Sequence, residues 1–309
     1  MIVFTLYGVR FLFHLSGYTH SGGQVPVGEL CYAIFSLSFV FMAAGGYIIN
    51  DYYDVAIDKI NRPSFVIIGT MVSTRSALTA YWILSILGTL AGFWSCYWAG
   101  IPLVAFLFVF YWVGLWFYSY KLKSTFLAGN ILIALFLALV PLGGACIELC
   151  PKAATILFTS DEKYLLWKML EGISLFAFMS ALIREIVKDA EDMEGDAAAG
   201  CTTMPIVIGI KATKWIVFSL VLLFNALLIY IQTQFSWMGI YLLLYFLLFI
   251  QAPLIWVIYL LIRSSSPKGF HRISFSLKAL MVTGMLYVFA IAIDSYLIYQ
   301  FFANFSKLN

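Results

Sequence analysis

The sequence predicts an all-α polytopic membrane protein with about nine transmembrane helices. Of its 309 residues, 63% are hydrophobic and only 11% are charged, which is more apolar surface than one soluble core can bury. Most of its apolar stretches reach the roughly 20 residues needed to cross about 30 Å of hydrocarbon. No linker or low-complexity tract divides the chain, so we expect a single transmembrane domain over residues 1–309.

Each predicted helix corresponds to one apolar stretch. The first stretch carries Arg10 and His14, and we interpret it as a span because no clear small-residue cleavage site of a signal peptide follows it. In chain order the stretches cover residues 2–16, 30–49, 76–97, 101–118, 127–149, 165–187, 215–231, 237–262 and 275–302.

The distribution of Lys and Arg predicts the orientation of the helices. If the loops after the second, fourth, sixth and eighth stretches share one side, that side carries 13 of the 18 basic residues. Cytoplasmic loops are enriched in such residues. We therefore expect an integral membrane protein with this side facing the cytoplasm. The thirteen are Lys59, Arg62, Arg75, Lys121, Lys123, Arg184, Lys188, Lys211, Lys214, Arg263, Lys268, Arg272 and Lys278.

Two acidic motifs with the same spacing lie at the predicted cytoplasmic ends of helices. The second motif repeats the first 138 positions later, which hints at an internal repeat. At about 100° per residue, positions i, i+3 and i+7 share one helical face, so each motif can direct three carboxylates at one point. The first motif consists of Asp51, Asp54 and Asp58, and the second of Asp189, Asp192 and Asp196.

Carboxylates near a membrane interior are costly unless they are paired, hydrated or bound to cations. Six at matched spacing favour a polar cavity that holds divalent ions, and the neighbouring Lys188 and Arg184 favour a metal-bridged diphosphate. An ordinary polar helix end would explain the first motif taken alone, whereas a salt-bridged helix surface explains the second poorly because its i, i+4 neighbours have like charge. For the polar segment 118–123, an aromatic belt with snorkelling lysines is an equally good explanation.

Three segments together resemble the UbiA superfamily of intramembrane prenyltransferases. They are NDYYDVAID at 50–58, YSYKLK at 118–123 and REIVKDAEDMEGD at 184–196, and the run GCTTMPIVIG at 200–209 adds to the resemblance. Within the superfamily, the second and third segments are most similar to the digeranylgeranylglyceryl phosphate synthases. The resemblance implies a UbiA-like bundle and Mg²⁺-dependent transfer of a polyprenyl group, geranylgeranyl in this subgroup, from its diphosphate to a lipid acceptor such as geranylgeranylglyceryl phosphate.

The resemblance also implies roles for individual residues. The six aspartates are expected to be catalytic and to hold Mg²⁺ against the donor diphosphate. Tyr47, Tyr53 and Tyr118 are candidates to stabilise an allylic cation through their ring faces. The candidates for direct contact with the diphosphate are Asn50, Arg62, Lys121, Lys123 and Lys188.

Other functions remain open at this point. The acceptor could be an aromatic quinone precursor, 4-hydroxybenzoate or dihydroxynaphthoate. The internal repeat also fits a transporter of a metal-complexed anion, although Pro141 and Pro253 are not related by the repeat offset. A CDP-lipid phosphotransferase is disfavoured because its Asp-Gly signature is missing. The expected partners are a polyprenyl diphosphate, a lipid or aromatic acceptor and membrane lipid, with no nucleic acid.

Overall fold

The computed structural model describes residues 1–16, 24–61, 64, 66–234 and 239–305, without the side chains of residues 60–61 and 295–305. Within these residues the protein is helical apart from turns and one isolated bridge between Ile68 and Val72. Eight helical segments are long and apolar enough to cross a membrane, and Ile2–Leu15 is a shorter apolar helix. The all-α membrane architecture is confirmed, and the nine predicted stretches correspond to these nine segments.

The helices follow the predicted stretches but extend beyond several of them, because polar residues at their ends continue the helical hydrogen bonding. The two that carry the acidic motifs, α2 and α7, are among the longest. The helices are α1 Ile2–Ser16, α2 Glu29–Asn61, α3 Thr74–Trp98, α4 Phe106–Tyr120, α5 Ala128–Leu149, α6 Ala154–Leu157, α7 Ser160–Glu191, α8 Met193–Ala198, α9 Met204–Gln234, α10 Ile240–Tyr245, α11 Ala252–Arg263 and α12 Pro267–Phe305.

Three apolar clusters hold the bundle together. The first joins α2, α3, α4 and α5 around the edge-to-face rings of Phe35, Phe39 and Phe108. The second joins α7, α9, α11 and α12, and the third packs α1 against α5, α7 and α12. The first and last helices therefore pack against each other, as the ring contact between Phe11 and Phe289 shows.

The eighth predicted span is one apolar segment with an irregular centre. A π-helical stretch, Phe246–Gln251, separates α10 from α11. Pro253 follows it and has no N–H to donate to the carbonyl of Phe249, four residues earlier. The hydroxyl of Thr283 on α12 donates to that carbonyl at 2.8 Å instead. A neighbouring helix thus supplies the missing donor, as an apolar surrounding requires.

A buried ion-pair cluster closes the end of the bundle opposite the acidic motifs. Arg10 on α1 pairs with Glu148 on α5, whose side chain is fully buried, and with Glu29 at the start of α2 at 2.9 Å. Its guanidinium also donates to the Val27 carbonyl at 2.8 Å and lies 4.4 Å from the ring centroid of Tyr32. Because its donors have acceptors on three residues, Glu29, Glu148 and Val27, Arg10 ties α1 to α5 and to the start of α2.

Asp294, an isolated acid within the last predicted span, has a structural partner. Its carboxylate accepts the backbone N–H of Gly239 at 3.1 Å, and Gly239 precedes α10. Accepting a free N–H at the start of a helix is a capping interaction. The hydrogen bond to Gly239 thus gives Asp294 a structural role at the start of α10.

Candidate active site

The first acidic motif lies on the last turns of α2, which runs without a break from Glu29 to Asn61. Asp51, Asp54 and Asp58 therefore share one helical face, as predicted. Asp51 is exposed and the other two are half-buried. The motif thus lies partly at the surface of this end of the bundle.

Asp54 makes two contacts with polar groups around it. One oxygen, Oδ1, pairs with the ammonium of Lys123, which lies in the short turn between α4 and α5. The other, Oδ2, accepts the Nδ2–H of Asn50 at 2.7 Å. Two of the residues predicted to contact the diphosphate, Asn50 and Lys123, are thus held beside the first motif.

The second motif does not lie on one continuous helix, contrary to the prediction. The helix α7 ends at Glu191, and Asp192 has non-helical dihedral angles (φ −93°, ψ 6°). Asp196 lies on the separate short helix α8, whose first turn forms as the Asp196 N–H donates to the Asp192 carbonyl at 3.1 Å. The helical spacing of this motif therefore does not predict the path of the backbone between Glu191 and Asp196.

Asn130 is part of this site and was not found from the sequence. Its Nδ2–H donates to Oδ2 of Asp189 at 2.7 Å, and its side chain is only 6% exposed. Asn130 lies in the first turn of α5, beside the turn that carries Lys123. An amide inside the apolar stretch 127–149 was the signal for it, because intramembrane polar residues mark functional or structural sites.

Carboxylates of the two motifs lie close enough to influence each other electrostatically. The pKa of Asp196 is raised to about 6, mainly by burial and then by the carboxylates of Asp192 and Asp54, while Lys188 and Lys123 oppose this rise. Asp54 belongs to the first motif and Asp196 to the second, so both motifs border one electrostatic site. Lys188 also lies within electrostatic range of Asp51.

The three predicted aromatic residues differ in position. The hydroxyl of Tyr118 on α4 lies within electrostatic range of Asp54 in the first motif and of Asp189 in the second. The ring of Tyr53 packs edge to face against Tyr120, with 5.8 Å between centroids. Tyr47 is 74% exposed and lies on the same face of α2 as Asp54.

Lys121 and Arg62 are two further residues predicted to contact the diphosphate. Lys121 is exposed at the C-terminus of α4. Arg62 lies outside the described residues. Lys121 therefore adds no contact to the geometry of the site.

The described residues contain no group of three or more His, Cys, Asp or Glu side chains arranged to hold a metal ion. The predicted convergence of three carboxylates at each motif is thus not observed among them.

Two buried atoms nevertheless suit a metal-bridged anion. Oδ1 of Asn50 is an oxygen with no hydrogen-bond partner, and Nε of Arg184 is a donor with none. Mg²⁺ prefers oxygen ligands and Arg binds phosphate, so the residues fit such a group.

A further contact links the second motif to α12. Nδ1 of His271 lies 2.8 Å from Oε1 of Glu191, the last residue of α7. Glu191 lies between Asp189 and Asp192 in the motif. This contact fixes the end of α7 against the start of α12.

Comparisons with known proteins show which family the sequence matches. The model of the UbiA prenyltransferase family matches residues 10–279. The digeranylgeranylglyceryl phosphate synthase of Methanobrevibacter smithii is 34% identical, over 85% of this chain and 86% of that protein. The enzyme of the same name from Thermococcus gammatolerans is 30% identical, over 83% and 84%.

Two solved structures share the fold. One, from a study of digeranylgeranylglyceryl phosphate synthase in membranes, has a TM-score of 0.64 at 24% identity and covers 94% of this chain and 93% of that chain. The apo structure of a UbiA homolog from Aeropyrum pernix K1 has a TM-score of 0.58 at 15% identity and covers 95% and 98%. At these identities the similarity establishes the arrangement of helices.

Proposed function

Because the chain belongs to the UbiA prenyltransferase family, we propose that it transfers a geranylgeranyl group from geranylgeranyl diphosphate to geranylgeranylglyceryl phosphate. The relatives that carry the name of this activity span most of the chain. The observation that supports the proposal best is the shared site of the two acidic motifs, in which the carboxylate of Asp54 acts on Asp196. The negative carboxylates of such a site are complementary to the Mg²⁺ ions that would accompany one diphosphate.

The donor diphosphate is held between the motifs. The six predicted aspartates, Asp51, Asp54, Asp58, Asp189, Asp192 and Asp196, together with Oδ1 of Asn50, are the oxygen groups that would hold Mg²⁺. When bound, Mg²⁺ supplies charge neutralisation of the leaving diphosphate. Lys123 and Lys188 lie beside these carboxylates and add positive charge at the same place. Asn130 orients the carboxylate of Asp189.

Transfer requires the allylic C–O bond to break, with its electron pair going to the diphosphate. The resulting allylic cation is stabilised by the face of an aromatic ring. Tyr118 is the candidate for this role, and its electrostatic interaction with both Asp54 and Asp189 supports the assignment. The acceptor hydroxyl then attacks the allylic carbon and releases its proton.

The site faces the cytoplasm of an archaeal or bacterial cell, where the positive residues at this end of the bundle would lie. Two native cysteines test this orientation. Cys150 is exposed just after α5, at the end opposite Asn130, whereas Cys201 follows α8 at the motif end. In intact cells a membrane-impermeant maleimide is expected to label Cys150 and not Cys201, and permeabilised cells should label both. Labelling of Cys201 alone in intact cells would reverse the orientation.

The activity is tested with membranes that contain the protein, Mg²⁺ and labelled geranylgeranyl diphosphate. Three acceptors are compared: geranylgeranylglyceryl phosphate, 4-hydroxybenzoate and dihydroxynaphthoate. We expect product with the first, loss of product in excess chelator and recovery on adding Mg²⁺. Product with the aromatic acceptors alone would assign the protein to quinone precursors, and uptake of the anion without any product would favour a transporter.

Two variants and one control connect the assay to the site. Asp54→Ala and Asp192→Ala should each lower turnover by at least about 100-fold, the scale on which loss of a transition-state charge stabiliser acts. Asp161→Asn changes an exposed aspartate in the first turn of α7, at the far end from Asp192, and should leave turnover unchanged. Full activity in either alanine variant would remove the proposed role of the motifs.

A further inference from the structure

The turn between α4 and α5 connects the two acidic motifs. This turn, Leu122–Ser124, is a single 3-10 helix that carries Lys123. The Lys123 ammonium pairs with Asp54 of the first motif, and both side chains are mostly buried, at 16% and 17% exposure. The position of the ammonium therefore depends on what holds the turn.

Thr202 holds the turn from the side of the second motif. It lies in the loop after α8, the helix that carries Asp196. Its backbone N–H donates to the carbonyl of Ser124 at 2.8 Å, and its hydroxyl donates to the same carbonyl at 3.1 Å. One carbonyl of the Lys123 turn thus accepts two hydrogen bonds from a residue 78 positions away.

Gly129 holds the turn from the side of α5. A Cβ atom at this position would lie 2.8 Å from the Leu122 carbonyl oxygen and 2.9 Å from the Cα of Lys123. Both are backbone atoms, so a larger residue would have to displace the turn. The next residue, Asn130, donates to Asp189. The turn is therefore seated between two elements that contact the second motif.

We propose that Thr202 and Gly129 are positioning residues, which hold the Lys123 ammonium at the junction of the two motifs so that it acts on a diphosphate bound there. This inference rests on the proposed function for the role of Lys123, and neither residue contacts the diphosphate itself. Thr202 fixes the turn by hydrogen bonding, whereas Gly129 fixes it by allowing α5 to approach closely. Loss of either contact is expected to weaken diphosphate binding through Lys123.

The hydroxyl contact is tested with a matched pair, Thr202→Val and Thr202→Ser. Both keep the backbone bond, and only serine keeps the hydroxyl. Binding of inorganic pyrophosphate with Mg²⁺ to the full-length protein in detergent is measured by calorimetry, which requires no turnover. Thr202→Val should weaken binding by about 2- to 10-fold, the scale of one neutral hydrogen bond, and Thr202→Ser should bind as the wild type does. Equal binding by the valine variant and the wild type would overturn the role of Thr202.

Combining Thr202→Val with Lys123→Met distinguishes a role in positioning the Lys123 ammonium from a general effect on protein stability. If Thr202 acts through Lys123, the valine substitution should cost nothing further once the ammonium is gone. If Thr202→Val weakens pyrophosphate binding by the same factor in both backgrounds, its effect is structural and does not act through Lys123. That result would overturn the proposal. Wild-type binding by Lys123→Met alone would overturn it as well.

Gly129→Ala provides an independent test, with Gly172→Ala as its control. Gly172 lies within α7, and a Cβ there would meet its nearest neighbour at an ordinary 3.4 Å. We expect weaker pyrophosphate binding for Gly129→Ala only, and equal binding by the two variants would contradict the role of Gly129.

A wild type that binds Mg²⁺–pyrophosphate through Lys123 but transfers no prenyl group would refute the proposed function alone. Normal transfer and binding in Thr202→Val and Gly129→Ala would refute this inference alone.

Discussion

Replacing Asn130 tests the part of the site that the sequence motifs do not contain. Asn130→Leu keeps a side chain of similar size but removes the amide that donates to Asp189 at 2.7 Å. A hydrogen bond to a charged group contributes about 1.5–3 kcal/mol. That corresponds to about a 10- to 150-fold loss in kcat/KM at about 1.4 kcal/mol per tenfold, in line with the effect of residues that orient metal-binding carboxylates.

The assay is geranylgeranyl transfer at saturating acceptor, with the donor and Mg²⁺ each varied. Asn130→Leu should lower kcat/KM for the donor and raise the Mg²⁺ concentration needed for half activity. Asn225→Leu is the control, because Asn225 is a half-buried asparagine of α9 outside the site. A folded Asn130→Leu variant whose kcat/KM stays within about twofold of the wild type would refute the reasoning, because the loss expected for this bond is about tenfold or more.

Three further outcomes are expected. Because the pKa of Asp196 is raised to about 6, lowering the pH through 6 should protonate it and increase the Mg²⁺ requirement, and Asp196→Asn should flatten that pH dependence in an Mg²⁺ titration. Arg10→Met should lower the free energy of unfolding in detergent by about 3–5 kcal/mol by leaving the buried Glu148 unpaired, and a wild-type unfolding midpoint would contradict this. Thr283→Val should cost about 1 kcal/mol because the Phe249 carbonyl loses its donor, whereas Thr283→Ser should unfold as the wild type does.

The sequence predicts well those features that depend on neighbours along the chain. Apolar stretches predict the spans, and the spacing of Asp51, Asp54 and Asp58 predicts their common face because α2 continues through all three. The same logic fails after Glu191, where α7 ends, because helical spacing carries over only while the backbone stays helical. Gly195, within the second motif, was a local signal of that change.

Contacts between distant residues could not be predicted in the same way. Lys123 meets Asp54 across 69 positions and Asn130 meets Asp189 across 59. Such pairs depend on how α4 and α5 pack against α2 and α7, which helical periodicity does not specify. The sequence therefore predicts which residues carry the charge of the site but not which polar groups orient them.

The central claim is that both acidic motifs bind one metal-bridged diphosphate. Calorimetry of Mg²⁺-dependent binding of geranylgeranyl diphosphate tests it most directly, with Asp54→Ala, Asp192→Ala and the double variant. Because both motifs would hold the same ligand, each single variant should lose Mg²⁺-dependent binding and the double variant should bind no more weakly than the weaker single one. Wild-type binding in either single variant, or losses that add in the double variant as for independent sites, would contradict the claim.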